Sequence, residues 1–153
     1  MSDILVIDTN ILLNILDVPS FNQNRDGIVQ EYNKYTKQRN TFFLPMATIL
    51  ETGSHVADIR NGQDRRKWGN LFVKTVTKSI EGVTPWKPFP FPTLDSISLW
   101  LDEFPDHAMS GIGFADLSII KDWEIICKKF PMTRVKIWSL DHHLAGYDSQ
   151  PGS

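Results

Sequence analysis

Ile4-Leu5-Val6-Ile7 is an unbroken apolar run that stops abruptly at Asp8-Thr9-Asn10. Such a run, without alternation and closed by a polar break, predicts a strand buried on both faces, the pattern of a parallel sheet. One turn of a buried helix would satisfy the same pattern, and an Asp in this place is also an ordinary N-cap for a following helix. Ile11 to Leu16 continues apolar at mixed spacing and predicts a short helix that Pro19 ends. Phe21, Ile28, Val29, Tyr32 and Tyr35 then fall on one helical face, with Gly27 as its weak point. Thr41-Phe42-Phe43-Leu44 is β-prone and stops at Pro45, so it predicts a second strand.

Met46 to about Arg60 reads as a helix with Ile49, Leu50, Val56 and Ile59 turned inward, and Glu51 lies in its first part. Between Asp64 and Glu81, Trp68, Phe72, Val76 and Ile80 recur every four residues and predict an apolar stripe. Lys67, Lys74 and Lys78 lie opposite and read as a solvated face, with phosphate contact as the alternative. The segment Pro85-Trp86-Lys87-Pro88-Phe89-Pro90-Phe91-Pro92 excludes regular helix and permits strand only in fragments. Its aromatics are expected to pack on their own domain.

Thr93 is the expected N-cap of a helix that turns Leu94, Ile97, Leu101 and Phe104 inward and ends before Pro105. His107 and Ser110-Gly111-Ile112-Gly113 read as a loop. Gly111-Ile112-Gly113 followed by Asp116 lacks the third glycine and the preceding strand of a dinucleotide fingerprint, and is dismissed as one. A helix follows from about Phe114 to Phe130, with Ala115, Ile119, Ile120, Trp123 and Ile126 mostly buried and Asp116 in its first turn. Arg134 to Leu140 predicts the last strand, with Asp141 at its carboxyl end. Residues 1–149 are expected to form one domain, and 150–153 a frayed tail.

Composition narrows the class. The 153 residues are 41% hydrophobic and 22% charged, an ordinary globular balance. The single Cys127 cannot form an internal disulfide, and no leader-like or membrane-length apolar segment is visible. These features predict a cytoplasmic protein. The formal net charge of -2 argues against coating nucleic acid by bulk electrostatics, and leaves open a local site for a short piece of it.

The candidate chemistry lies in four acids. Asp8 and Asp141 each end a predicted strand, and Glu51 and Asp116 lie near the starts of helices. In a parallel sheet all carboxyl ends share one edge, and the helices that follow begin there. Four carboxylates would converge and repel one another by several kcal/mol, to order of magnitude, unless protons or cations neutralise them. All-oxygen ligation suits Mg²⁺ or Mn²⁺, and its natural chemistry is hydrolysis of a phosphodiester. Asp8 and Asp141 are the foremost candidate ligands, with Glu51 and Asp116 completing the site. Four unrelated surface carboxylates among 18 acids are the competing account.

Val6-Ile7-Asp8-Thr9-Asn10, the helical Glu51, Phe114-Ala115-Asp116-Leu117 and Ser139-Leu140-Asp141 together resemble a PIN domain, in that family's order and over nearly the whole chain. The resemblance implies a three-layer α/β/α fold with a central parallel sheet. It also implies a Mg²⁺- or Mn²⁺-dependent endoribonuclease in which Asp8, Glu51, Asp116 and Asp141 are the acidic quartet. Asn10 and Ser139 would hold the carboxylates in place. Many such proteins are toxins of toxin–antitoxin pairs, so an RNA substrate, a small antitoxin partner and a homodimer are expected. The insert at Pro85 to Pro92 departs from the pattern and loosens the assignment of Asp116. His142-His143 after the fourth acid is also unusual, and reads as solvated, with contact to phosphate or metal as the alternative.

Two other phosphoesterase families were weighed. Asp141-His142-His143 names one of them, but that family needs an early Asp-x-Asp pair and a second domain beyond the tripeptide. Asn10 stands where the second Asp should be, and ten residues follow His143. A haloacid-dehalogenase-like phosphatase fails on the same missing Asp. The remaining alternative is a PIN-like module that binds RNA or protein without cutting it.

Overall fold

A computed structural model describes residues 2–83 and 86–151. Pro85, at the head of the proline-aromatic segment, and the last two residues of the expected tail lie outside the described residues. One sheet is built from β1 (Ile4–Ile7), β2 (Thr41–Leu44), β3 (Trp86–Pro88), β4 (Val135–Trp138) and β5 (Asp148–Ser149), in the order β3-β2-β1-β4-β5. The helices are α1 (Thr9–Ile15), α2 (Arg25–Lys37), α3 (Met46–Ala57), α4 (Gly62–Glu81), α5 (Leu94–Met109), α6 (Phe114–Lys129) and α7 (His142–Ala145).

The apolar run of β1 is buried throughout because β1 is central, with β2 and β4 parallel to it on either side. Ile4 faces Thr41 in one neighbour and Val135 in the other, so the three strands end level. Successive side chains alternate between faces. Leu5 and Ile7 join Phe42, Leu44, Trp86 and Trp138 beneath Ile11 and Leu12 of α1, Ile28 of α2 and Val56 of α3. Trp68 and Phe72 of α4 pack on the same side. Ile4 and Val6 join Val135 and Ile137 beneath Ile119, Ile120 and Ile126 of α6. Each fully buried aliphatic side chain is worth roughly 1.5–3 kcal/mol. The result is the three-layer α/β/α sandwich expected from the sequence, with antiparallel β5 as the departure from a wholly parallel sheet.

Several inward assignments are corrected. In α3 the buried positions are Thr48, Thr52 and Val56, and Leu50 lies about half a turn away from them, exposed. In α4 a spacing of four drifts about 40° per step against a 3.6-residue turn. By Ile80 the stripe has rotated off the core, and that residue is 67% exposed. Ser79 is buried in its place and donates its hydroxyl to the Trp86 carbonyl at 3.1 Å.

Helix α5 runs through Pro105 to Met109, taking His107 out of the predicted loop. Pro105 removes the hydrogen bond that the Leu101 carbonyl would accept, but Leu101 is exposed, so water can serve it. Leu94 is 83% exposed. The inward stripe is Ile97, Trp100, Phe104 and His107, at i, i+3, i+7 and i+10. The final strand is shorter than predicted, ending at Trp138, and Phe21 lies ahead of α2 rather than within it.

The proline-aromatic segment does contain a strand fragment. Trp86 is buried, stacks 5.5 Å from both Tyr32 and Phe42, and donates its indole N–H to the Tyr32 hydroxyl at 3.0 Å. Phe89 meets Phe43 edge-on at 5.9 Å. Trp86→Ala is expected to lower stability by roughly 3–5 kcal/mol, read from urea denaturation, because large-to-small changes in a packed core leave a cavity.

Candidate metal and nuclease site

The carboxyl ends of β1 and β4 meet through one hydroxyl. Ser139 Oγ donates to Asp8 Oδ2 at 2.5 Å and accepts from the Asp141 backbone N–H at 2.9 Å. Asn10 Nδ2 approaches the same oxygen at 3.5 Å, while Asn10 Oδ1 accepts from the Leu140 N–H at 3.1 Å. Asn10 and Ser139 therefore sit where they can hold carboxylates in place. The backbone adds a bond from Asp8 N–H to the Trp138 carbonyl at 3.0 Å. Asp8 also caps α1, its Oδ1 accepting from Thr9 N–H at 2.7 Å, so the capping reading holds for this residue.

Glu51 is brought to the same edge by α3. That helix starts directly after β2, and Thr48 ties it to β1 by donating to the Ile7 carbonyl at 2.7 Å. Thr9 Oγ1 then donates to Glu51 Oε1 at 3.2 Å. Thr9 was missed as a site residue, although its hydroxyl stands inside the very motif that marks Asp8. Asp116, in the first turn of α6, lies within the field of the other three acids.

Burial pushes Asp116 up to about 6, reinforced by the charges of Asp8, Asp141 and Glu51 and opposed by His143. Burial likewise raises Asp8, against the bonds from Ser139 and Thr9, with repulsion from Asp141 adding to it. Glu51 is raised by burial and by Asp8, against Thr9 and His55. Among the described residues no lysine or arginine forms an ion pair with any of the four acids. The quartet is thus an acidic edge without a lysine or arginine partner among the described residues, with His142 beside Asp141 at 3.8 Å, and its carboxyl oxygens are of the type that suits a hard divalent cation.

The tightest group of donors is different. Asp141, His142 and His143 bring ligand atoms within 4.8 Å of one another, whereas no three of the four acids come that close. Asp141 caps α7, accepting from His143 N–H at 2.9 Å, which folds the histidine pair back beside the acid. His142 is exposed, and His143 is half-buried with Nε2 toward Gly111.

A second acid was not singled out from the sequence. Asp122 of α6 is buried at 7% exposure, and burial alone pushes its carboxyl up to about 7. Its spacing held the signal: Ile119, Asp122 and Ile126 follow the inward i, i+3, i+7 rhythm.

One chain of a solved structure, VapBC2 from Rickettsia felis bound to a DNA fragment from their promoter, superposes with a TM-score of 0.52. The two share 16% identity over 89% of this chain and 99% of that chain. The fold is PIN-like. No protein-family model and no curated protein matches the sequence. Among the described residues, no helix of this PIN-like chain is long and apolar enough to cross a membrane.

Two measurements probe the site. Ser139→Ala removes a bond to a carboxylate and orphans the Asp141 N–H, and is expected to cost roughly 1.5–3 kcal/mol in urea denaturation at neutral pH. Asp122 keeps its proton in the folded protein over a range where the unfolded chain, titrating near about 4, has released it. Stability is then fully present below that range and is lost as pH rises through about 7. Asp122→Asn should raise the melting temperature far more at pH 8 than at pH 4. An equal shift at both would contradict the buried-acid account.

Proposed function

We propose that the chain is a Mg²⁺- or Mn²⁺-dependent endoribonuclease of the PIN type, acting as the toxin of a pair and neutralised by a small antitoxin protein. The observation that carries this reading is the mutual influence of Asp8, Glu51, Asp116 and Asp141 at one sheet edge, with no paired lysine or arginine among the described residues. The likeness to a chain of VapBC2 supports the toxin–antitoxin part.

Asp8, Glu51, Asp116 and Asp141 would hold the cation. When bound, it would activate water and stabilise charge on the phosphate and the leaving oxygen. Ser139 keeps Asp8 and the Asp141 backbone in register across the β1–β4 seam. Thr9 steers Glu51 toward the same edge. The raised Asp116 carboxyl is the group whose proton must leave before all four acids can act together as anionic ligands.

The test is cleavage of total RNA by the purified protein with Mg²⁺, with Mn²⁺ and with chelator, alongside Asp8→Asn. Metal-dependent cutting is expected, abolished by chelator and lost in the variant, with metal affinity falling in parallel. Asp8→Asn retains the size of the side chain and relieves carboxylate repulsion, so its fold persists and its stability in metal-free buffer rises. At limiting metal, cleavage should climb as pH passes about 6 and Asp116 ionises. A protein that neither cuts RNA nor binds Mn²⁺ would leave the non-catalytic binding module as the answer.

A further inference from the structure

Beside the acidic edge lies a pocket between α3, α5 and α6, with a cavity volume of about 360 Å³. Trp100 and Phe114 form aromatic walls, their rings crossing at 61° with centroids 6.4 Å apart. Phe91, 66% exposed, stands at the mouth. Glu51 and Ala115 also line it, and Ala115 precedes Asp116, so the pocket opens directly beside two members of the quartet.

Asp122 lies on the same lining, and its carboxylate is the anomaly. It is more than nine-tenths buried, yet among the described residues its side chain has no hydrogen bond and no ion pair. A largely buried carboxylate without a partner is costly, and water, an ion or a ligand entering the pocket can supply the donors it lacks. The pocket is thus apolar and aromatic with one carboxyl inside it, a two-oxygen acceptor once ionised, the composition of a site for a flat, largely apolar ligand that carries donors on one edge.

We propose that this pocket binds an unstacked guanine base, held between Phe91 and the Trp100–Phe114 wall, with the Asp122 carboxylate accepting from its N1–H and 2-amino group. Guanine is the base whose Watson–Crick edge presents two adjacent donors, matching two carboxylate oxygens. Single-stranded RNA is read by splaying bases onto aromatic side chains and bonding their exposed edges. Because Glu51 belongs to both features, a base in the pocket places its own phosphates at the acidic edge. As a determinant of cleavage specificity this rests on the ribonuclease reading, while the binding of the base does not.

The experiment separates the two. Nucleosides carry no phosphate to meet a metal, so calorimetric titration of the intact protein with guanosine, inosine and adenosine reads the pocket alone. Guanosine should bind roughly tenfold or more tighter than adenosine, with inosine, which keeps N1–H and lacks the 2-amino group, between them. Asp122→Asn, verified as folded by its melting transition, should erase the preference. Phe91→Ala, at an exposed ring whose loss leaves the core intact, should weaken all three nucleosides alike. In parallel, oligonucleotides with one guanosine in an otherwise adenosine or uridine run should be cut beside it.

Guanosine preference without any RNA cleavage would defeat the ribonuclease reading and leave the pocket assignment standing. Equal nucleoside affinities, or a guanosine preference that survives in folded Asp122→Asn, would overturn the pocket assignment. So would saturable binding of an arginine amide in place of guanosine, which would give the pocket to a basic peptide.

Discussion

Four carboxylates gathered at one sheet edge repel one another, and much of the surrounding structure can be understood as holding them there despite that repulsion. The hydroxyl of Ser139 donates to Asp8 and at the same time fixes the backbone of Asp141, so two acids from opposite ends of the chain share one anchor. Thr9 does the corresponding work for Glu51. Asp116 lacks such an anchor, feels the charges of all three others, and is pushed up to about 6. Neutral donors orient these groups without bringing a positive charge to cancel theirs.

That arrangement is affordable because the strands beneath it are rigid. β1 is buried on both faces and paired on both sides, and its end is level with the ends of β2 and β4. Side chains projecting from such an edge inherit its position, and helices that begin there add theirs. Thr48 illustrates the coupling: it is buried in α3 and bonded to the Ile7 carbonyl, one residue before Asp8, so helix and strand cannot shift independently.

The central sheet and the position of Asp8 at its edge were legible in the sequence because both rest on strong local signals, whereas Glu51 and Asp116 stand in helices that carry acids for many reasons. Ile4-Leu5-Val6-Ile7 fits a strand buried on both faces, and an acid directly after it is conspicuous. The rest depended on tertiary context. β5 is two polar residues held by Arg134, whose guanidinium bonds both Asp148 oxygens at 2.9 and 2.7 Å, and no hydrophobic pattern announces it. The passage of α5 through Pro105 depends on which face of the helix meets water. Ile80 and Leu50 were misplaced by counting spacing without its angular drift, and Asp122 because an acid in an apolar stripe is discounted until its burial is seen.

The two margins of the sheet carry one more consequence. On one side β3 ends with Lys87 and Pro88, a charge and a residue without an N–H donor. On the other, β5 is two residues long and pinned by Arg134. Among the described residues, a strand arriving from another molecule finds no long, flat ladder to extend on either side. The described sheet edges thus offer little purchase to a second strand, while helix surfaces such as the exposed Leu99 and Leu101 of α5 leave apolar area open.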